Sequence, residues 1–495
     1  MFIKKLIRRQ VLFIKDWING IKDKRVLVVG LGRSGLGAAN LLASFGAKVS
    51  VTEKKGLEDL KEYIERLDPS VVVHAGRHAE ELFRMADLIV ISPGVALDIE
   101  PMKVVTRGEV PVIGELELSF NTVTTPFIAI TGTNGKSTVT TLVDIMLRKG
   151  GFRTICGGNI GNALTGEILK IVGNQARSTL RSEAGELKVD YIVAEASSFQ
   201  LETIAKFKPR VAAILNITPD HLDRHKDMNT YISAKSRIFE NQGPEDYLIL
   251  NADDQETMKL YSEKLKMQNA KISKIYFFSR KKEVEGIYFK DGVIYYNLPN
   301  SKLRAPNSKL IPANEIKIKG VHNLENAMAA SAIALVSGCP AQAVRDVLVD
   351  FPGLEHRIEF VEEINGVSFI NDSKGTNVGA VVKSLESFQE IILIMGGRDK
   401  ASDFSILKDL VRQRVKALIL LGEAKGKIAE ALGSLTETVF VKDMREAVEI
   451  SAAKARRGDV VMLSPGCTSL DMFRDFEDRG RKFKEAVKEL KGALL

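Results

Sequence analysis

Ile130-Thr131-Gly132-Thr133-Asn134-Gly135-Lys136-Ser137-Thr138 is the stretch that decides how this chain is read. Before it, Phe127-Ile128-Ala129-Ile130 is a short apolar run fit for a buried strand; after it, Val139, Leu142, Val143 and Met146 recur at helical spacing. A glycine-rich turn between strand and helix lets backbone N–H groups converge on an anion at the helix N-terminus, where the aligned peptide dipoles favour negative charge. In that setting Gly132, Thr133, Asn134 and Gly135 form a cradle, Lys136 supplies a mobile positive charge, and Ser137 or Thr138 offers a hydroxyl to Mg²⁺. The position five before Gly135 is Ile130, so the loop is a shorter form of the G-x-x-x-x-G-K-[ST] motif. The spacing points to a nucleoside triphosphate.

Working outward, the chain's 495 residues exceed one ordinary core and suggest about three domains. No apolar run is long enough to cross a bilayer. The net charge of +8 suits anionic small molecules, and aromatic residues are not interleaved with the basic ones, so no nucleic-acid partner is expected. Cys156, Cys339 and Cys467 are odd in number and far apart, which argues against a disulfide framework and for a reducing cytoplasm. Residues 1–24 stand apart as an extension expected to be helical. Apolar Phe2, Ile3, Leu6, Ile7, Ile14, Trp17, Ile18 and Ile21 alternate with cationic Lys4, Lys5, Arg8, Arg9 and Lys15. Contact of residues 1–21 with an anionic membrane surface is one reading; the favoured one is an extra helix packed on the first domain.

From Arg25 onward strand-like and helix-like segments alternate. Val26–Val29, then Gly30-Leu31-Gly32-Arg33-Ser34-Gly35, a helix, and Lys48–Thr52 ending on Glu53 make a βαβ unit with a complete G-x-G-x-x-G. Asp87–Ile91 followed by Ser92-Pro93-Gly94 reads as a later strand and its ligand-facing turn. Taken alone, this Rossmann-like parallel sheet, expected over 25–116, suggests NAD. A central P-loop-type α/β ATPase domain is expected over 117–354, with irregular strands and loops in its charged stretch 262–320. A second Rossmann-like α/β domain follows over 355–495, in which Ile391–Met395, Ala417–Leu421 and Val460–Leu463 each end in a glycine turn.

Four clusters carry the remaining chemistry. Glu195 ends the apolar run Tyr191–Ala194, the usual place for a Mg²⁺-holding carboxylate opposite a phosphate loop. The segment from Asn216 to His225 holds Asp220, His221, Asp223 and His225 without the spacing of a zinc site, and Lys235 follows on a helix-like stretch. Asn326 and Arg357 belong to the third cluster. The fourth is Asn371-Asp372-Ser373-Lys374-Gly375-Thr376-Asn377, then Gly396-Gly397-Arg398-Asp399-Lys400. Cations on strand-end loops neutralise phosphate and carboxylate charge. The residues alone thus describe an ATP-dependent enzyme with a second, anionic substrate.

Together these strings resemble the Mur ligase family from Arg25 to the end, and within it the ligases that add D-glutamate. The specific marks are the stretch Asp372–Asn377 and Leu463-Ser464-Pro465-Gly466-Cys467-Thr468-Ser469-Leu470-Asp471 with Phe473 and Phe476. Family members that add other residues tend to carry Asp-Tyr-Ala-His at the first of these places, which is not matched here. The resemblance implies a monomer that uses ATP and two Mg²⁺ ions to activate UDP-N-acetylmuramoyl-L-alanine as an acyl phosphate, which the amine of D-glutamate then attacks. It implies catalytic roles for Lys136, His221, Lys235 and Lys374. Ser137, Glu195, His221 and a carbamylated Lys235 would hold or orient the metals. Asn326, Arg357 and Asp372 would join the loop in binding nucleotide. It moves the Gly30 motif from NAD to UDP, with Gly32, Arg33, Ser34, Glu53, Lys54, Ser92, Pro93 and Gly94 on the substrate and Asn159 on its muramoyl part. Thr376, Lys400, Ser469 and Phe476 would join Lys374 around D-glutamate. Two other readings stay open: a dinucleotide-binding redox or regulatory protein built on the Gly30 motif, and a folylpolyglutamate-type ligase.

Overall fold

The computed structural model describes residues 14, 16–105, 110–159, 161–178, 189–266, 273–299, 305–399 and 402–494. Three sheets follow one another along the chain. The first comprises β1 (Arg25–Val29), β2 (Lys48–Glu53), β3 (Val72–Ala75), β4 (Leu88–Ile91) and β5 (Val112–Gly114), all parallel in the order β3-β2-β1-β4-β5. Helix α1 (Arg33–Ser44) starts at the glycine loop after β1. Residues 16–21 are helical, and Trp17 and Ile21 pack into the apolar cluster of this sheet. The cationic stretch through Arg9, on which the membrane-surface reading depends, lies outside the described residues. No helix among the described residues is long and apolar enough to cross a membrane.

The second sheet has nine strands, β6 (Phe127–Thr131), β7 (Thr154–Gly158), β8 (Tyr191–Glu195), β9 (Val211–Ile214), β10 (Tyr247–Asn251), β11 (Lys274–Ser279), β12 (Gly286–Lys290), β13 (Val293–Leu298) and β14 (Ala305–Pro312). Their order is β14-β13-β12-β11-β10-β9-β6-β8-β7. The order reverses at β6, between β9 and β8, which opens a crevice at the carboxyl ends of the strands. Into that crevice points the N-terminus of α2 (Lys136–Lys149), whose Val139, Leu142, Val143, Met146 and Leu147 are buried against the sheet. The other helices that matter here are α3 (Leu164–Ser178), α4 (Met228–Ser236) and α5 (Val321–Val336).

The stretch 262–320 departs from the sequence-based expectation. It forms four regular strands, β11 to β14, with β12, β13 and β14 antiparallel. The signal was present in Asp291-Gly292, which takes positive φ at both positions (49° and 79°), the geometry of a tight two-residue hairpin turn. The charges of this stretch flank the hairpin, in Arg280-Lys281-Lys282-Glu283 and Glu285, with only Lys290 and Asp291 between Gly286 and Leu298.

The third sheet has β15 (Glu359–Ile364), β16 (Val367–Asn371), β17 (Ile391–Gly396), β18 (Val415–Leu421), β19 (Glu437–Phe440) and β20 (Val460–Leu463), in the order β15-β16-β20-β17-β18-β19. All neighbours are parallel except the β15–β16 edge hairpin. Helices α6 (Val378–Ser387) and α7 (Phe476–Leu494) cover it.

The first two sheets are closely joined. A Cβ at Gly37 of α1 would meet Thr165 Oγ1 at 2.5 Å and the Gly166 nitrogen at 2.9 Å, so α1 lies directly on α3. The buried carboxylate of Glu117 accepts the backbone N–H groups of Ala205, Lys206 and Phe207 at 2.8–2.9 Å. A buried charge needs such hydrogen bonds to be tolerated.

Candidate functional site

The loop after β6 is closed by its own side chains. Gly135 takes φ 85°, and a Cβ there would run into Asn326 Oδ1 on α5. Strand β9 stops at Ile214, two residues before Asn216, which brackets the loop by accepting from the Asn134 N–H (2.9 Å) and donating to the Asn134 carbonyl (3.1 Å). Thr133 Oγ1 donates to the Thr218 carbonyl (3.0 Å) and lies 3.2 Å from Tyr231 Oη. Lys136 Nζ folds back onto the Gly132 and Thr133 carbonyls at 2.9 and 2.8 Å. Lys235 Nζ, on α4 and 1% exposed, donates to the same Gly132 carbonyl at 2.8 Å. Burial pushes the Lys136 ammonium down, against the pull of Glu195 and Asp220. Burial, then the neighbouring Lys136, pushes Lys235 well below the ordinary lysine range. The two side chains share one acceptor, and their like charge adds to the cost of burying Lys235.

Facing the loop is Glu195, at the end of β8 and 1% exposed. Asn159 Nδ2 donates to its Oε1 at 2.7 Å, whereas its buried Oε2 has no hydrogen-bond partner. His221 sits at φ 54° with its ring edge-on to Phe199, 5.0 Å between centroids. Asp220 Oδ2 accepts from Asn377 Nδ2 at 3.0 Å, a bond from the second sheet's loops to the third's. Arg357 makes another, donating from Nη2 to Ser137 Oγ at 2.7 Å; burial pushes this guanidinium down, opposed by Glu195 and Asp372. Burial pushes the Lys374 ammonium down to about 8, with Arg357 adding to the effect. Its Nζ lies 3.6 Å from the centroid of the Phe476 ring. Between these walls lies a cleft of about 930 Å³.

Of the residues singled out from sequence, the cleft gathers Thr133, Asn134, Gly135, Lys136, Thr138, Asn159, Glu195, His221, Lys235, Asn326, Arg357, Asp372, Lys374 and Thr376. Gly132 and Ser137 adjoin it through the bonds to Lys235 and Arg357. Ser469 is buried outside its lining, and Phe476 reaches it only through Lys374. Lys400 lies outside the described residues. Gly32, Lys54, Ser92, Pro93 and Gly94 are on the first sheet's loops and Arg33 and Ser34 in the first turn of α1, and none lines the cleft. The carboxylate of Glu53, expected on the substrate, is held by the backbone around it. One carboxylate oxygen accepts from the Leu31 N–H (2.8 Å) and the other from those of Lys54 (2.8 Å) and Lys55 (3.2 Å). Burial raises this group, but those backbone bonds prevail and hold it below the usual range. Asp372 lines the cleft and is also tied within the third sheet: its Oδ2 accepts from Ser384 (2.6 Å) and Ser464 (2.8 Å), and burial raises it to about 6.

Sequence reading gave no role to Asn377, Ser384, Ser464 or His322. The first three act through hydrogen bonds to side chains remote in sequence, which spacing does not show. His322 lines the cleft, and burial lowers it to about 4.

Comparison with known proteins fits this geometry. Residues 24–114 match the model of the Mur ligase MurD-like N-terminal domain, residues 130–334 the Mur ligase middle domain and residues 356–467 the Mur ligase glutamate ligase domain. A UDP-N-acetylmuramoylalanine–D-glutamate ligase of Geotalea daltonii is 46% identical over 476 residues, covering 95% of this chain and 99% of the relative. One of the same name from Citrifermentans bemidjiense is 44% identical over 470 residues, covering 94% and 98%. Among solved structures, the UDP-N-acetylmuramate–alanine ligase MurC of Thermotoga maritima superposes with a TM-score of 0.58 at 18% identity, over 94% of this chain and 100% of that one.

The loop geometry makes one prediction. Gly135→Ala adds a Cβ in a left-handed conformation and against Asn326. The variant is expected to stay folded but to lose the rise in melting temperature that saturating ATP gives the parent. That rise corresponds to about 2.7 kcal/mol at a hundredfold excess over Kd. An undiminished rise would count against the loop as the phosphate cradle.

Proposed function

The chain belongs to the Mur ligase family, and on that premise we propose that it joins D-glutamate to UDP-N-acetylmuramoyl-L-alanine at the expense of ATP. The observation that carries this reading is the convergence of the phosphate loop, the unpartnered oxygen of Glu195 and the cations Arg357 and Lys374 on one cleft. A carboxylate is a poor electrophile. Transfer of the γ-phosphoryl group to the L-alanyl carboxylate gives an acyl phosphate and ADP. The D-glutamate amine then attacks the acyl carbon, and the tetrahedral adduct collapses to the amide with loss of inorganic phosphate and a proton. Charge neutralisation and alignment supply most of the catalysis in such a sequence.

In this reading Lys136 exchanges its two carbonyl acceptors for the β- and γ-phosphates, and Arg357 leaves Ser137 for the nucleotide. Asn326, packed against Gly135, is placed for the adenine side. The unpartnered Oε2 of Glu195 and the hydroxyl of Ser137 or Thr138 form an oxygen set suited to Mg²⁺. Bound there, the ion would neutralise charge that builds up on the transferred phosphoryl group. His221 and Lys235 line the same cleft, and Lys235 shares the Gly132 carbonyl with Lys136. The depressed Lys235 amine supports carbamylation: in its neutral form the nitrogen adds to CO₂ and loses one proton, leaving an anionic carbamate of the kind that belongs beside a metal. The first sheet's glycine loop would hold the UDP diphosphate. Asn159 orients Glu195 and faces the same cleft, which supports its contact with the muramoyl part. Lys374, Thr376, Lys400, Ser469 and Phe476 would surround D-glutamate.

Phosphate release from ATP is expected only with UDP-N-acetylmuramoyl-L-alanine and D-glutamate both present. Equal turnover with L-lysine, L-alanine or a folate would overturn the assignment. For Lys235, replacement by Ala is expected to abolish turnover, with partial recovery on adding a short carboxylic acid. The parent enzyme in ¹³C-bicarbonate is expected to show a carbamate carbon signal, and its absence would refute the modification. For Lys374, the charge that attracts D-glutamate is lost as pH rises through about 8. The KM for D-glutamate should therefore climb above that pH in the parent and stay flat in Lys374→Arg. The same climb in both would remove Lys374 from the pocket.

A further inference from the structure

The four-residue helix Leu222–His225 has two neighbours that belong to different sheets. At its N-terminal end His221 lines the cleft. Arg224, on the same turn, reaches the loop after β4 instead. Its Nη1 donates to the Pro93 carbonyl at 2.8 Å and its Nη2 to the Val95 carbonyl at 3.0 Å. The guanidinium carbon lies 3.9 Å from the centroid of the Phe199 ring. That ring also carries His225, stacked at 5.1 Å and 15°, and the edge of His221 at 5.0 Å. Glu202 completes the group, 3.9 Å from Arg224 and 3.4 Å from His225. The Pro93–Val95 loop is in turn tied to the glycine loop, since Ser92 Oγ donates to the Gly30 carbonyl at 3.0 Å. A continuous chain of contacts thus runs from Gly30 through Ser92, Arg224 and Phe199 to His221.

We propose that Arg224 is a positioning residue that fixes the first sheet's ligand loop at a set distance from His221 and the cleft. The inference rests on the proposed function. A substrate held by its nucleotide end on the first sheet must deliver its carboxylate to the phosphate loop on the second. The two anchor points belong to different sheets, so their separation has to be fixed by something that touches both. Arg224 touches both. Its planar fork suits two carbonyl oxygens at once, a geometry that a lysine ammonium does not reproduce. The aromatic face beneath it holds the guanidinium in plane. Arg224 touches no reacting atom; it acts through the Pro93 and Val95 carbonyls on one side and through Phe199 on the other.

Steady-state kinetics of the full chain with each substrate varied in turn tests this in Arg224→Gln, Arg224→Lys and Phe199→Leu. Misplacing a reacting group by a fraction of an ångström to an ångström costs about ten- to a hundredfold in rate. Arg224→Gln is therefore expected to raise the KM for UDP-N-acetylmuramoyl-L-alanine and lower kcat, each by roughly tenfold, while the KM values for ATP and D-glutamate move by less than about twofold. Arg224→Lys should recover little of the loss, and Phe199→Leu should give the same pattern more weakly. Thermal unfolding of each variant separates a fold defect from a positioning defect. A lowered melting temperature with all constants unchanged, or an equal rise in all three KM values, would overturn the inference and leave Arg224 a strut. A parent enzyme that releases no phosphate with both substrates would instead overturn the proposed function. An active parent with an indifferent Arg224 overturns this inference alone.

Discussion

The carbonyl oxygen of Gly132 accepts from two lysines, and much of the site depends on how that crowding is relieved. Lys136 and Lys235 approach it from α2 and α4, and both are pushed down by burial. Arg357 and Lys374 close the opposite wall, and burial depresses them as well. Four desolvated cationic groups around one cleft form an arrangement that only a highly charged anion satisfies fully. Glu195, Asp220 and Asp372 pull the other way but are too few to neutralise them. On the proposed function, a triphosphate would supply the missing negative charge. A carbamate on Lys235 would remove one positive charge and add one negative charge, relieving the repulsion at its centre.

How much of this was legible in the chain varies with the range of the interaction. The phosphate loop, the Rossmann-like βαβ start and the strand-then-glycine pattern of the third sheet are local, and each shows in consecutive residues. Glu195 is legible because it ends an apolar strand. The partners of Asp372 are not. Ser384 lies on α6 and Ser464 follows β20, so only the folded sheet shows that the carboxylate is already engaged. The engagement of Glu53 is partly local, through the N–H groups of Lys54 and Lys55, but the Leu31 N–H comes within reach only because β1 and β2 pair in register. The hairpin at 291–292 was missed for a different reason: its two-residue turn is a strong signal, but flanking charges masked the alternation on either side.

The cleft's walls are joined unevenly, and the asymmetry has a physical reading. The first and second sheets share apolar packing, with Leu41 of α1 in the same buried cluster as β6 and β8. Glu117 and the Gly37–Thr165 approach add to that junction. Among the described residues, none beyond Glu359 belongs to either buried cluster of the second sheet. What crosses to the third sheet at the cleft is polar: Arg357 to Ser137 and Asn377 to Asp220. Hydrogen bonds of this kind contribute about 1–3 kcal/mol each, far less than a buried apolar face.

Those two bonds are made by the very groups that ligands would claim. Ser137 belongs to the phosphate loop, Arg357 is the cation facing it, and Asp220 adjoins His221. An incoming nucleotide would therefore compete for Arg357 and Ser137 while bringing its own charge to bridge the same gap. The third sheet can exchange a protein–protein bond for a protein–ligand–protein one, since neither buried cluster of the second sheet extends into it among the described residues. The first sheet cannot, because its junction is packed, and Arg224 pins its ligand loop by two further bonds. On the proposed function, the packed junction would set where the substrate's carboxylate arrives, and the polar one would respond to what occupies the cleft.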